Sequence, residues 1–521
     1  MADHKWEVGT YFLDKEHFRD VVRTYAIHSG RNIRFVKNDK RRIRVRCVGA
    51  QGNCPWLAYC ALLTSHHNWQ LRKVVDVHTC SREFTIDIIN SKWLSGTLET
   101  DLRENPSIKI NEIRNKAVRK WNTRVSWSMA RRARAMAADQ VQGSFKEQFR
   151  RIYDYANELL KSNPGSTIKL KVEDVEGQAT FNRFYTCLKA CKDSFVSCRP
   201  IIGLDGCSLK GRYGGELLTA VGRDGNDQML PLCYALVEVE NKETWTWFME
   251  LLIEDLGGPE VCQSITFMSD QQKGLMLAIQ EMLPGAEQRF CMRHLYAIFR
   301  KKFGGKKLKN LMWRAAVSTY PQAWEREMKN IKEANLEAYK YLIAIPPRFW
   351  SRSRFTSQAI CDTLVNNMSE AFNSVIIDAR TKPIVSMLED IRIYLMKRWA
   401  KNRKKVKAFK VGQEKRFLKS STFHLLERST KSTLTHQCTC RKWMLSGIPC
   451  CHALAAMRFL NLNAEEFIPH WFRICTYEET YHSIIYPVNG QLLWERTSYN
   501  DVQPPLKRRL PGRPKKKRRL E

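Results

Sequence analysis

Two groups of cysteine and histidine residues, one near each end of the chain, restrict most strongly what this sequence can fold into. The first group has the spacing Cys47-x6-Cys54-x23-His78-x-Cys80. The second group has the shorter spacing Cys438-x-Cys440-x9-Cys450-x-His452. Structural zinc binds four such ligands at the corners of a tetrahedron. The sequence therefore predicts two structural Zn²⁺ sites. The alternatives are unrelated buried thiols beside a surface histidine at the first group and a metal-free cysteine-rich loop at the second.

The segment around the first group alternates apolar and basic residues, which is typical of half-buried strands. Residues 33–36 and 42–46 show this alternation and flank the turn signal Asn38-Asp39. We therefore predict a β-rich zinc module over residues 1–85, whose thin core depends on the metal. Its hairpin carries seven basic side chains: Arg34, Lys37, Lys40, Arg41, Arg42, Arg44 and Arg46. A solvated basic hairpin is one interpretation of these residues, and contact with DNA phosphates is the other.

The strongly positive net charge indicates a polyanionic partner. Lysine and arginine total 87 and aspartate and glutamate 53, which gives +34 at pH 7. No stretch approaches the roughly 18 apolar residues that span a bilayer, so we expect no membrane partner. The N-terminus has no apolar segment of the signal-peptide type, and we expect the 17 cysteines to be thiols or metal ligands in a reducing compartment. Nucleic acid is therefore the first candidate partner.

Between about residues 167 and 300, short apolar segments alternate with helical ones, which predicts an α/β domain. Asp205 and Asp270 each end an apolar segment that we interpret as a buried strand. Functional groups in open sheets lie where strands end, and two such carboxylates suit Mg²⁺, which prefers oxygen ligands. Glu370, on a later predicted helix, is our candidate for a third carboxylate of a two-metal site.

Other carboxylates compete for the third position. Glu389 and Asp390 lie on the next predicted helix and are alternatives to Glu370. We expect Asn366 or Asn367 to cap the helix that carries Glu370, which places this glutamate in the first turn. For each of the candidate acids, a loop or capping role is the alternative to catalysis.

Four segments together resemble the Mutator-like (MuDR-type) transposases, and the resemblance extends over almost the whole chain. The N-terminal Cys-Cys-His-Cys module is similar to the family's DNA-binding domain, which has a WRKY/GCM-like zinc fold. Residues 199–211 resemble the opening of the family's transposase domain. Residues 267–275 and 291–294 resemble its second aspartate and its C-x-x-H motif. The second zinc group resembles the family's SWIM finger, which we place at residues 425–475.

The resemblance implies an RNase H-like DDE core at residues 167–405, interrupted by a helical insertion at about 295–365. It implies that Asp205, Asp270 and Glu370 bind Mg²⁺ or Mn²⁺ and catalyse DNA cleavage and strand transfer. It also implies that the protein binds double-stranded DNA, as terminal inverted repeats and as target, and that it acts as a homo-oligomer, at least a dimer.

The resemblance leaves two questions open. Four roles are open for Cys291 and His294: they shape the active site, contact DNA, bind a third zinc ion or simply pack in the core. A domesticated descendant that binds DNA and regulates transcription, like the far-red-response regulators related to this family, is the alternative to an active transposase. The intact set of three acids favours the enzyme. A zinc-dependent RNA-binding protein would leave the paired aspartates unexplained.

A helical segment after the first zinc module is another candidate DNA contact. Residues 100–165 are predicted to be helical, and residues 110–120 and 129–138 suit the two helices of a helix-turn-helix. Generic amphipathic helices are the alternative.

The basic tail at residues 500–521 is predicted to be disordered. It resembles an AT-hook, an extended arm for the minor groove, with Arg513, Lys515 and Lys516 as its DNA contacts. The same run suits a nuclear localisation signal, so that we expect the protein in the nucleus. A merely solubilising tail is the alternative.

Overall fold

The computed structural model describes residues 6–63, 68–105, 108–142, 145–211, 213–407, 432–433 and 437–505. The chain divides into two units, Met1–Ser144 and Phe145–Glu521, which we describe one at a time. The predicted helical segment 100–165 is divided between them, because the helices after residue 144 pack in the core of the second unit. Within the described residues, no helix combines the length and the apolar character needed to cross a bilayer.

An antiparallel sheet organises the described part of the first unit. The elements in chain order are β1 (Tyr11–Phe12), α1 (Lys15–Ser29), β2 (Ile33–Asn38), β3 (Arg42–Cys47), β4 (Leu57–Leu63), β5 (Asn68–Val75), α2 (Ser91–Gly96), α3 (Glu99–Glu104), α4 (Ile110–Trp121) and α5 (Trp127–Gln142). The strand order is β1-β5-β4-β3-β2, with every neighbouring pair antiparallel. In β3 the basic residues are exposed and the residues between them are buried, as the alternation predicts.

Helix α1 was not predicted, because its segment was interpreted as part of a β-rich module. Its ends carry clear signals: the Asp14 side chain accepts a hydrogen bond of 2.7 Å from the His17 backbone N–H, and Gly30 ends the helix in the left-handed region at φ 66°. Phe18 and Val22 are buried in the same hydrophobic core as the sheet. The helix therefore gives the zinc module the second layer that a single sheet lacks.

The two helices proposed for a helix-turn-helix are present as α4 and α5. Asn122 follows α4 in the left-handed conformation at φ 52°, which turns the chain toward α5. Ile113 on α4 and Ala133 on α5 are buried in the core that includes the sheet. The helices thus belong to the zinc module, and DNA contact by α5 stays a prediction.

A mixed sheet forms the centre of the second unit. Its first elements are α6 (Phe145–Arg150), α7 (Ile152–Ser162), β6 (Thr167–Val175), β7 (Gln178–Cys187), α8 (Lys189–Val196), β8 (Arg199–Ser208), β9 (Glu216–Arg223), β10 (Met229–Val237), α9 (Lys242–Asp255), α10 (Pro259–Gln263), β11 (Thr266–Ser269), α11 (Lys273–Met282) and β12 (Gln288–Phe290). The strand order is β12-β11-β8-β9-β10-β7-β6. Strands β8, β11 and β12 are parallel, and the remaining neighbours are antiparallel.

Strand β8 is longer than predicted. We expected it to end at Asp205, but it continues to Ser208 because Asp205–Ser208 pair with Glu216–Thr219 of the antiparallel neighbour β9. Two antiparallel steps separate β8 from β10, so β8, β10, β11 and β12 all run in the same direction. Their C-terminal ends therefore lie at one edge of the sheet, which we call the carboxyl edge.

A helical insertion follows the last parallel strand. It contains α12 (Met292–Lys302), α13 (Lys306–Val317), α14 (Pro321–Ala334) and α15 (Leu336–Ile343). These helices share a separate hydrophobic core, in which Trp350 of the returning chain is fully buried. Helices α16 (Asn367–Val375) and α17 (Ile384–Lys407) then return to the core of the mixed sheet.

The C-terminal part contains short elements around the second zinc group. They are β13 (Ser432–Thr433), β14 (Gln437–Cys438), α18 (Lys442–Ser446), α19 (Cys451–Phe459) and α20 (Ile474–Thr480). Residues 500–505 were predicted to belong to a disordered tail, but Gln503 pairs with β7. The backbone of Gln503 exchanges hydrogen bonds of 2.7 and 2.9 Å with that strand. The AT-hook-like residues Arg513, Lys515 and Lys516 lie outside the described residues.

Candidate functional site

Asp205 and Asp270 lie side by side at the carboxyl edge of the mixed sheet. The parallel register of β8 and β11 pairs Met268 with Gly203, and extending it by two residues places Asp270 level with Asp205. Neighbouring strands in a sheet are about 4.8 Å apart. The fold therefore brings two carboxylates from distant parts of the sequence to one place.

The two aspartates make each other's negative charge unfavourable. Burial raises the pKa of Asp205 to about 6, and the charge of Asp270 adds to this increase. His294 and hydrogen bonds from Gly206 and Asn373 oppose it, the last with 2.8 Å between Asn373 Nδ2 and Asp205 Oδ2. Such a pair binds a proton or a cation, and its oxygen ligands favour a hard divalent cation.

Replacing Asp205 with asparagine is expected to raise the free energy of unfolding in the absence of Mg²⁺ by about 1–3 kcal/mol near neutral pH. The folded-state pKa of about 6 exceeds the ordinary value of 3.8, so the folded state binds the proton more tightly than the unfolded chain does. The wild-type protein therefore loses stability as the pH rises from about 4 to about 6. Asparagine removes this penalty and still accepts the hydrogen bond from Asn373.

Thermal unfolding at about pH 5 and about pH 7.5, with and without Mg²⁺, measures this effect. The gain of the asparagine variant over the wild type should be larger at the higher pH. Mg²⁺ should stabilise only the wild type. A variant that is less stable than the wild type at the higher pH would contradict the assignment of Asp205 to a strained carboxylate pair.

Glu370 lies in the first turn of α16 and contacts a different set of side chains. Its Oε2 accepts an ion-paired hydrogen bond of 2.6 Å from Arg293 Nη1. Ligand atoms of Glu370, Cys291 and His294 lie within 4.8 Å of one another, and among the described residues no such cluster includes the two aspartates. The structure thus brings the aspartates together, and it places Glu370 at the C-x-x-H motif.

Two asparagine side chains hold α16 against β8, one turn before and one turn after Glu370. Asn366 Nδ2 donates a hydrogen bond of 3.0 Å to the Leu204 carbonyl, and Asn373 is the donor to the first aspartate. Asn366 occupies the N-cap position as expected, but its side chain makes no capping bond because it binds β8 instead. A Cβ at Gly203 would lie 2.2 Å from Asn366 Oδ1, so this approach requires glycine.

The C-x-x-H motif joins the end of β11 to α12 and α16. The Cys291 N–H donates a hydrogen bond of 2.8 Å to the Ser269 carbonyl, and Cys291 Sγ accepts one of 3.3 Å from the Asn366 N–H. A hydrogen bond with Cys291 raises the pKa of His294 to about 9; burial opposes this increase, and the charges of Cys291 and the two aspartates support it. At neutral pH His294 therefore carries a positive charge beside the aspartates.

The alternative third acids are engaged elsewhere. Glu389 forms a two-bond ion pair with Arg392, at 2.8 Å for each bond, and accepts a hydrogen bond of 2.9 Å from Tyr155. Asp390 pairs with Lys382 at 2.6 Å. Both acids are engaged on or near α17, whereas Glu370 lies on the helix whose Asn373 bonds to Asp205, which makes Glu370 the better candidate.

A fourth acid at the carboxyl edge, Glu240, was missed by the sequence analysis. It follows β10 and accepts a hydrogen bond of 3.2 Å from the Trp245 indole N–H. Burial raises the pKa of Glu240 to about 7, and the charges of Asp270, Glu216 and Asp205 contribute in the same direction. Its sequence signal is weak, because Glu240 lies three residues after the end of β10 and Glu238 follows that strand directly.

The four predicted ligands of the first zinc site converge at one end of the strands in the sheet of the first unit. Cys47 Sγ and Cys80 Sγ are 3.5 Å apart, and His78 Nδ1 lies 3.4 Å from Cys54 Sγ and 3.8 Å from Cys80 Sγ. Ligands about 2.3 Å from a tetrahedral zinc are about 3.7 Å from one another, so the site has suitable dimensions. The Trp56 ring stacks on His78 with 5.3 Å between centroids and orients the imidazole.

The second zinc group also forms a closed cluster. His452 Nδ1 lies 3.7 Å from Cys438 Sγ and 3.9 Å from Cys450 Sγ, and Cys440 completes a set whose ligand atoms are all within 4.8 Å of one another. The neighbouring Cys451 is exposed and is not part of the set. Both clusters support zinc binding at the predicted residues.

Arg441 attaches the second zinc group to the helical insertion. It follows the ligand Cys440 in the left-handed conformation at φ 57°. Its guanidinium donates hydrogen bonds to the carbonyls of Thr319 at 3.1 Å, Phe355 at 2.8 Å, and Ser353. A zinc ion that fixes the backbone on one side of Arg441 would therefore also stabilise the contact with the insertion.

All seven basic side chains of the β2–β3 hairpin are exposed. Within the described residues, two of them pair with carboxylates: Arg34 with Asp87 at 3.8 Å and Arg42 with Asp39 at 3.1 Å. The register places Arg34 opposite Arg46, so like charges face each other across the hairpin. Like charges repel in this position, and a polyanion would relieve that repulsion.

Replacing Arg46 with alanine is expected to weaken binding of double-stranded DNA several-fold, to a similar degree for different sequences. The loss of one phosphate contact should reduce the slope of log affinity against log salt concentration by about one. Fluorescence anisotropy at several salt concentrations measures the affinity and its dependence on salt. Lys92→Ala, which removes an exposed charge on α2, is the matched control. Equal slopes for the Arg46 variant and the wild type would exclude this hairpin from the DNA interface.

Comparison with known proteins identifies three segments of the chain. The MULE transposase domain matches residues 201–298, which include both aspartates and the C-x-x-H motif. The MuDR family transposase model matches residues 3–66, and the SWIM zinc finger matches residues 424–461. Glu370 lies outside these ranges.

Two proteins of Arabidopsis thaliana are similar to part of the chain. Protein FAR-RED IMPAIRED RESPONSE 1 is 27% identical over 146 residues, which are 28% of this chain and 17% of that protein. Protein FAR1-RELATED SEQUENCE 6 is 26% identical over 160 residues, which are 30% of this chain and 21% of that protein. The chain therefore matches less than a quarter of the length of either relative.

Proposed function

We propose that this chain is a DDE-type DNA transposase. The chain is related to the Mutator-like transposases and carries a C-terminal SWIM zinc finger. It binds the ends of a mobile element and catalyses metal-dependent DNA cleavage and strand transfer. The observation that carries this proposal is the pair Asp205 and Asp270 at one level of adjacent parallel strands. Glu370 lies one helical turn from Asn373, which bonds directly to Asp205.

The proposal includes an RNase H-like core. The order β10-β9-β8-β11-β12, with three parallel strands and an antiparallel hairpin, supports it. Strands β6 and β7 extend this sheet beyond β10. The helical insertion lies between β12 and α16, immediately before the helix that carries Glu370.

Mg²⁺ or Mn²⁺ would be held by Asp205, Asp270 and Glu370. The donor set fits because it consists of carboxylate oxygens, and because the two aspartates raise the energy of the site when no cation is present. When bound, divalent cations activate the attacking oxygen and stabilise the leaving oxygen during phosphodiester cleavage.

The protein's own groups supply rigidity and positive charge. Asp205 lies within β8 and Asp270 directly follows β11, so their oxygens need little reorganisation. His294, positively charged at neutral pH, and the exposed Arg293 are placed to contact DNA phosphate. Glu370 is paired with Arg293, so Glu370 would have to leave this ion pair to hold a cation, and Arg293 would then be free to contact the DNA backbone.

A DNA-binding regulator derived from a transposase is the second candidate function. The ion pair between Glu370 and Arg293 favours it, because this ion pair would have to break before Glu370 could bind a cation. One of the two Arabidopsis relatives is named for an impaired far-red response. In this case the two zinc modules and the basic hairpin bind DNA, and the acids do not cleave it.

Incubating the purified full chain with DNA repeats that flank its coding region, in Mg²⁺ or Mn²⁺, separates these functions. The transposase cuts at the repeat ends, and EDTA prevents the cut. A chain that binds the same DNA and leaves it intact with both cations is the regulator. A coding region without flanking terminal inverted repeats would also support the regulator.

A further inference from the structure

We infer that Glu240 is a fourth acid of the divalent-cation site and that it binds the water shell of the cation held by Asp205 and Asp270. This inference rests on the proposed function, because it concerns the same site. It adds a residue that lies outside the three-acid motif and on a different strand end. The place of Glu240 in the fold, its contacts and its charge environment each support it.

The fold places Glu240 at the carboxyl edge with the two aspartates. Strand β10 ends at Val237, on the same edge as the ends of β8 and β11. The Glu240 carboxylate then lies across Gly206, the residue after Asp205. A Cβ built on Gly206 would lie 2.8–2.9 Å from the carboxylate carbon and oxygens of Glu240. The absence of a side chain at Gly206 therefore leaves the space that this carboxylate occupies.

Two contacts fix the position of Glu240. The Trp245 indole N–H donates to Oε1 at 3.2 Å, and Trp245 itself is fully buried on α9. The Gln272 side chain, two residues beyond Asp270, donates to the Glu240 carbonyl at 3.4 Å. Glu240 is therefore connected both to the helix behind it and to the loop that carries the second aspartate.

Three carboxylates close together need positive charge, and His294 beside the aspartates supplies only part of it. Among the described side chains, no lysine or arginine lies within 4 Å of the carboxylates of Asp205, Glu240 or Asp270. Glu240 does not share a direct ligand cluster with the aspartates. Mg²⁺ characteristically retains several waters, so an acid slightly farther from the cation contacts it through water. This arrangement gives a function to a half-buried acid beside the aspartates.

Calorimetric titration of the full chain with Mn²⁺, in the absence of DNA, tests the inference. Glu240→Gln is expected to weaken Mn²⁺ binding about 10-fold, the usual effect of losing an outer-shell partner. Gly206→Ala should weaken it similarly, because the added methyl displaces the flexible end of Glu240 without removing its charge. Glu254→Gln changes an exposed acid on α9, the helix that follows Glu240, and this variant should bind Mn²⁺ like the wild type.

The outcomes separate this inference from the proposed function. Wild-type affinity for Mn²⁺ in both Glu240→Gln and Gly206→Ala would overturn the role of Glu240 and leave the three-acid site intact. Failure of the wild type to bind Mn²⁺ and to cleave DNA would overturn the proposed enzyme together with this inference. Unchanged far-ultraviolet circular dichroism of both variants shows that weaker binding does not arise from unfolding.

Discussion

Replacing Asp205 or Asp270 with alanine is expected to lower metal-dependent cleavage of terminal-repeat DNA by about 10³-fold or more, because under the proposed function each change removes a ligand of the cations. Affinity for the same DNA should stay within about two-fold of the wild type, because the basic hairpin and the zinc modules supply the phosphate contacts. Cleavage is measured on labelled DNA under single-turnover conditions, and affinity by anisotropy in Ca²⁺.

Asp174→Ala is the matched control for this prediction, because it removes an exposed aspartate from the β6–β7 hairpin of the same sheet. The control should cleave DNA at the wild-type rate. Cleavage that persists in the Asp205 and Asp270 variants would show that another site, or a contaminating nuclease, performs the reaction.

Replacing Cys54 with serine is expected to remove one zinc ion per chain and to unfold the first unit. Structural zinc contributes on the order of 10 kcal/mol to small modules, which exceeds the stability that such a core supplies alone. The number of zinc ions per chain is measured by mass spectrometry of the intact protein, and it should fall from about two to about one. Loss of folding is measured by circular dichroism, and DNA affinity should fall with it.

Cys60→Ala is the control for the zinc prediction. Cys60 is buried in the same sheet, on β4, but it is not part of the ligand cluster. This variant should retain both zinc ions and lose only the stability that a small core cavity removes, about 1 kcal/mol. A Cys54→Ser protein that keeps two zinc ions and its DNA affinity would show that the first group is not a structural zinc site.

Local sequence patterns predicted some strands of both sheets, but β1, β6 and β7 were not predicted. Alternation identified β2 and β3, and apolar segments that end in acids identified β8 and β11. The zinc ligands were predictable because their spacing encodes the tetrahedral geometry directly. Helix α1 was missed because its signals, a capping aspartate and a terminal glycine, are short and lie in a segment dominated by strands.

Features that depend on long-range register were not predictable. The sequence does not show that Asp270 stands level with Asp205, since this follows from the pairing of β11 with β8. Nor does it show that Glu370 pairs with Arg293, or that Arg441 reaches the insertion, because these contacts join segments far apart in the chain. The acid Glu240 was missed because its meaning depends on which strand ends share an edge.

Location of Mn²⁺ by anomalous diffraction in crystals of the full chain tests the central claim most directly. The claim predicts Mn²⁺ between the carboxylates of Asp205 and Asp270, with Glu370 turned from Arg293 toward the ion. Crystals at the same Mn²⁺ concentration with no ion between the aspartates, and with Glu370 still paired with Arg293, would contradict it and leave the chain as a DNA-binding protein.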